Sequence, residues 1–84
     1  MNTSAKELRF DNHTMSVELA DGRTLGVPLA WFPRLLHATP MQRQDYRISV
    51  SGNGLHWAAI DEDISVEGLL AGRGDMTHRP AKVA

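Results

Sequence analysis

Cysteine is absent from the 84 residues, which removes disulfides, thiolate metal sites and a cysteine nucleophile together. The absence fits a reducing compartment. Aromatic residues are scarce: two Trp, two Phe and one Tyr must supply most of the bulky packing. A charge excess is missing too. The net charge is −1, and the nine cations, seven Arg and two Lys, are scattered along the chain. That argues against a general polyanion binder, whose affinity comes from clustered Lys and Arg. No apolar run approaches the ~20 residues a membrane span needs. The start MNTSAKELRF also lacks the apolar segment of a secretory signal. A cytoplasmic location without a membrane partner is therefore expected.

What is present suits an ordinary globular domain, with 42% apolar and 23% charged residues. A chain of this length makes one domain that buries about 60% of its unfolded surface, so association is a ready source of added stability. Residues 1–6 are expected to fray, 7–73 to form the domain and 74–84 to be a flexible tail.

Apolar residues alternate with polar ones in three successive runs. Leu8 and Phe10 oppose Glu7, Arg9 and Asp11. Met15, Val17 and Leu19 oppose Thr14, Ser16 and Glu18. Leu25, Val27 and Leu29 oppose Thr24, Gly26 and Pro28. A period of two predicts strands with one buried and one wet face. Asn12-His13 and Asp21-Gly22 mark the turns. Pro28 cannot donate a ladder hydrogen bond and places its strand at an edge or end.

At Trp31 the period changes. Trp31, Phe32, Leu35, Leu36 and Thr39 share one helical face, with Pro33 tolerated in the first turn and the helix ending before Pro40. Thr39-Pro40-Met41-Gln42 carries a capping box for a second short helix, Pro40 to Gln44. Tyr46, Ile48 and Val50 predict a fourth strand, Gly52-Asn53-Gly54 a turn, and Leu55 to Ala59 a fifth strand. Ile64, Val66, Leu69 and Leu70 then line the inner face of a last helix, closed by Gly72. The order β-β-β-α-β-β-α predicts an α+β domain: an antiparallel sheet of about five strands with helices packed on one face. Trp31, Phe32, Leu35, Trp57, Ile64 and Leu69 are its expected core anchors.

Asp61-Glu62-Asp63 is the densest charge cluster. Asp61 and Asp63 have the chemistry of Mg²⁺ or Ca²⁺ ligands, but such sites need further carboxylates, and only Glu67 is near. Capping of the last helix by Asp61 or Asp63, with the acids complementing its dipole, is the preferred reading. The same acids can also form a recognition edge for a basic partner. His13, His37, His56 and His78 match no metal motif. His56 with Asp61 or Asp63 is the one local pair to consider as a general base. No nucleophile elbow, S-x-x-K or phosphate loop occurs. Trp31, Phe32 and Trp57 fit the core better than a base-stacking surface. Arg34, Arg43 and Arg47 form a weak basic cluster.

Three stretches carry a resemblance: V-P-L-A-W-F-P-R-L-L at Val27 to Leu36, A-T-P-x-Q-R at Ala38 to Arg43, and G-L-H-W-x-x-I-D-E-D-I-S-V-E-G-L-L-A-G at Gly54 to Gly72. Together they resemble the small bacterial proteins of domain-of-unknown-function family 2442, from about Leu8 to Arg73. That family often has Pro after the Trp, where this chain has Ala58. The resemblance implies an α+β domain with no catalytic residues to carry over. It also implies a regulatory setting, since some longer relatives add a helix-turn-helix and others resemble members of toxin–antitoxin-type operons.

The resulting expectation is a non-enzymatic protein-interaction domain, antitoxin-like or regulatory, with a protein partner and homodimerisation through open sheet edges. No cofactor or metal is expected. One alternative is a dimeric DNA-associated regulator using Arg34, Arg43 and Arg47, although direct nucleic-acid binding is not the primary expectation. The other is a small ligand binder or enzyme using His56 with Asp61 and Asp63.

Overall fold

Among the described residues, every pairing joins strands that are consecutive in sequence. The computed structural model describes residues 3–72. Residues 1–2 and 73–84, and with them the expected tail and His78, lie outside the described residues. A first antiparallel sheet contains β1 (Ala5–Phe10), β2 (Thr14–Leu19) and β3 (Thr24–Pro28) in that order. The turn after β1 is held by the Asp11 carboxylate, which accepts hydrogen bonds from the amides of His13 (2.8 Å) and Thr14 (2.7 Å). The next turn contains Gly22 at φ 96°, a left-handed conformation that costs glycine little. β3 is an edge strand and Pro28 is its last residue, as the missing amide requires.

Alternation alone would not bury both Ala5 and Leu8, which are three positions apart. The β1–β2 register shifts between Ala5 and Glu7, so Lys6 is an extra residue on β1. This bulge turns both side chains inward.

The chain leaves β3 through a single 3-10 turn, Leu29–Trp31, followed by α1 (Pro33–Leu36) and α2 (Pro40–Gln44). The helix expected from Trp31 or Phe32 is therefore divided. Phe32 is extended (φ −132°, ψ 89°) because a residue preceding proline is disfavoured in the helical region. Trp31 is thereby separated from the α1 face and is 37% exposed, so it is not a core anchor. Phe32, Leu35, Trp57, Ile64 and Leu69 are buried as expected. The capping box of α2 is present: the Thr39 side chain accepts from the Gln42 amide and the Gln42 side chain from the Thr39 amide.

A second antiparallel sheet follows, with β4 (Arg47–Ile48), β5 (Gly54–Trp57) and β6 (Glu62–Ser65) in order. The architecture is thus two three-stranded sheets, not about five strands in one. The sixth strand comes from the acidic stretch: Glu62 and Ile64 point inward while Asp63 and Ser65 point out. β6 runs directly into α3 (Val66–Leu70), a helix of five residues. With α1 and α2 at four and five residues, the helices are single turns rather than a layer over one sheet face. Leu70, assigned to the inner helical face, is 38% exposed. Gly72, at φ 78°, follows α3 in the left-handed conformation expected of a terminator.

Both sheets feed one core. Leu8, Met15, Val17 and Val27 come from the first, and Leu55, Trp57 and Ile64 from the second. Leu29, Phe32, Leu35, Val66 and Leu69 join them from the helical segments. The sheets are joined by the Ala5 amide donating to the Gly52 carbonyl at 2.8 Å. The Leu8 amide also donates to the Tyr46 hydroxyl at 3.3 Å.

Candidate binding groove

The outer face of the second sheet carries polar side chains in rows set by strand register. Arg47 pairs with His56 across β4–β5, and His56 pairs with Asp63 across β5–β6. Register partners in an antiparallel sheet share a face, so Arg47, His56 and Asp63 form one row across all three strands. His56 Nδ1 contacts the Asp63 carboxylate directly.

In the next row Gly54 stands opposite Ser65. On its other side Ser49 donates its amide to the Gly54 carbonyl (2.8 Å). The Gly54 amide in turn donates to Ser49 Oγ (3.0 Å). Glycine therefore occupies the middle of a row flanked by two serines, and the missing side chain leaves a depression. An open groove of ≈ 760 Å³ runs over this part of the sheet. It is bounded by the Arg47–His56–Asp63 row on one side and by Val50, Ser51 and Asn53 on the other.

The acids read as helix caps have other places. Asp61 lies in the turn after β5 at φ 53°, and its carbonyl accepts from Arg34 Nη1 at 2.8 Å. Glu62 faces inward opposite Trp57 and is 6% exposed, so it is not a partner-facing residue. Asp63 is an outward strand residue engaged with His56. The cap of α3 is Ser65, whose Oγ accepts from the Gly68 amide at 3.1 Å. The capping reading fails because Asp61 lies in a turn and Asp63 in a strand that runs on to Ser65 before the helix begins. Glu67 is the acid that sits in the first turn of α3, where it complements the helix dipole.

His56 meets Asp63 but not Asp61 at the groove. Among the described residues, no set of three or more His, Asp or Glu side chains converges to hold a metal ion. No described helix is long and apolar enough to cross a membrane.

The three arginines have separate duties. Arg43 donates from Nε to the Leu35 carbonyl (2.9 Å) and from Nη2 to the Leu36 carbonyl (2.8 Å), closing the end of α1. Its own carbonyl accepts from Trp57 Nε1 at 3.0 Å. Arg34 holds the Asp61 turn. Arg47 alone of the three faces the groove.

The sequence reading missed Ser65, Gly54 and Arg47 as parts of one surface. A serine immediately before an apolar helical run is a start signal that identifies Ser65. Gly54 reads from the sequence as the end of the Gly52-Asn53-Gly54 turn, which conceals its place on the strand.

Fold and groove define the class: a small α+β domain of two three-stranded antiparallel sheets, one of them grooved on its outer face. The chain belongs to the family described as "Protein of unknown function (DUF2442)", whose model matches residues 5–75. It is similar to a protein of unknown function from Rhodospirillum rubrum, known from a crystal structure. Identity is 32% and the TM-score 0.75, covering 89% of this chain and 94% of that one. It is also similar to an uncharacterized protein from Chromobacterium violaceum, solved by solution NMR. There the identity is 28% and the TM-score 0.73, covering 86% of this chain and 68% of that one. No curated protein matches the chain.

Proposed function

We propose that this chain is a non-enzymatic protein-interaction domain that receives a partner segment in the groove over Gly54. The observation that carries the reading is the groove itself, an open hollow bordered by Arg47, His56 and Asp63 and by the fully exposed Val50. An apolar side chain left in water beside a concave polar row suits a surface completed by another protein. The antitoxin-like or regulatory setting implied by the family resemblance is compatible with this reading and is not needed for it. A DNA-associated role is less well supported, because Arg34 and Arg43 are held on backbone carbonyls.

The test is recovery of the tagged full chain from its source cells, as wild type and as Gly54→Val. A Cβ at residue 54 meets Ser49 at 3.4–3.5 Å, ordinary contact, so the variant raises the floor of the groove with an apolar side chain whose first atom the sheet accommodates. A stoichiometric protein partner should accompany the wild type and be lost from Gly54→Val at an unchanged melting temperature. A partner retained equally by both forms, or none at all, overturns the reading.

A second reading, a small-molecule site, is favoured by one observation: the His56–Asp63 couple borders the same groove. Asp63 orients the imidazole and leaves Nε2 available to a ligand. The serines of the next row are engaged elsewhere: Ser49 Oγ accepts from the Gly54 amide and meets Ser51 Oγ, and Ser65 Oγ accepts from the Gly68 amide.

A further inference from the structure

We infer that the segment received by the groove is acidic, with one carboxylate seated on the Arg47 guanidinium and an apolar side chain covering Val50. The inference rests on the interaction reading above and adds the chemistry of the partner.

The arginines of the described residues supply the argument. Arg9 is paired with Glu18 at 2.9 Å and Arg23 with Asp21 at 2.8 Å. Arg34 and Arg43 are engaged by backbone carbonyls. Arg47 is the remaining one, exposed and without a side-chain hydrogen bond or ion pair among the described residues. The acid that shares its row, Asp63, lies one strand beyond His56 and is bound to that imidazole. Arg47 therefore presents its donor fork to the groove unneutralised. A planar fork of this kind matches a carboxylate in bidentate geometry.

Val50 lines the same groove and is fully exposed, which supplies an apolar contact across the groove from the charge. A polyanion fits less well. The groove offers a single free guanidinium, which matches one carboxylate and not the repeated charges of a phosphate chain.

A phage-displayed library of random heptapeptides, selected on the full chain, tests the assignment. Enriched peptides should carry Asp or Glu near a branched apolar residue. Their affinity should fall about tenfold with Arg47→Ala. Arg47→Glu should switch enrichment from acids to Lys or Arg. Arg47 is exposed, so both variants should keep the wild-type melting curve.

Acid-free peptides that bind Arg47→Glu equally but are lost with Gly54→Val would overturn the acidic assignment and leave the groove reading standing. Peptides indifferent to Gly54→Val, or no enrichment at all, would overturn both. A labelled single-stranded oligonucleotide that binds the wild type and is released by Arg47→Glu, with no acidic peptide enriched, would assign the groove to phosphate instead.

Discussion

Replacing Gly52 by alanine isolates the point at which the two sheets meet. Gly52 lies at φ 78°, and a Cβ built on it would stand 2.5 Å from Ser4 Cβ, 2.9 Å from Ser4 Oγ and 3.1 Å from Ser4 Cα. Two costs add. The left-handed conformation costs an L-residue about 1–2 kcal/mol, and overpacking at a fixed backbone costs about 1–3 kcal/mol. Ser4 cannot simply retreat, because its hydroxyl donates to the Ser51 carbonyl at 2.9 Å. The following amide, Ala5, is bonded to the Gly52 carbonyl. Gly52→Ala should therefore lose about 2–5 kcal/mol in urea unfolding. That is a large share of the roughly 4–13 kcal/mol expected for a domain of this length.

The double variant Ser4→Gly/Gly52→Ala separates the two costs. Removing Ser4 Cβ relieves the overlap and leaves the conformational penalty, so the pair should be less damaging than the sum of the singles by about 1–3 kcal/mol. Strict additivity, or a Gly52→Ala loss below about 1 kcal/mol, would refute the reasoning.

Four other outcomes follow from the structure. Ser65→Ala should lose about 1 kcal/mol in urea unfolding through the α3 cap, whereas Asp61→Gly should match or exceed the wild type because it removes a positive φ from a non-glycine residue. Trp57→Phe should lose about 2–4 kcal/mol by leaving the Arg43 carbonyl without its indole donor and a gap in the core, read by urea unfolding and near-UV circular dichroism. The Asp11 carboxyl is held below the usual range by the amides of His13 and Thr14, and that of Asp21 by the amide of Arg23. Their stabilisation is thus present above about pH 4 and lost as pH falls through the lowered folded values; Asp11→Asn and Asp21→Asn should each flatten the acid limb of a stability–pH curve.

The first sheet was readable almost residue by residue, since Leu8, Met15, Val17 and Val27 alternate with polar neighbours and Gly22 turns the chain. Its bulge was not: Ala5 lies outside the alternating pattern and becomes buried only because Lys6 is extruded. The Thr39 capping box was legible because it is local. The split at Phe32 was harder, because the apolar spacing of Trp31, Phe32 and Leu35 suits a helix and the restriction imposed by Pro33 overrides it.

The acidic stretch misled for an electrostatic reason. Three consecutive acids before an apolar helical run read as its cap and dipole partners, yet Glu62 and Ile64 alternate with Asp63 and Ser65 as in any half-buried strand. Once Glu62 is inside, Asp63 must face out, opposite His56. The groove itself has no local signature, because it is lined by register partners from three separate strands.

All the ladders of both sheets join strands that are consecutive in the chain. Hairpins of this kind close in about 1–10 μs, and such local topology folds faster than sheets wired across long loops. The clasp of Ser4 on Ser51 spans 47 residues, so it can tighten only after both halves have zipped. Docking of the two hairpin stacks is then the expected slow event, and the overlap of a Cβ at residue 52 with Ser4 should retard it, while the left-handed turn adds a separate penalty to the β4–β5 hairpin.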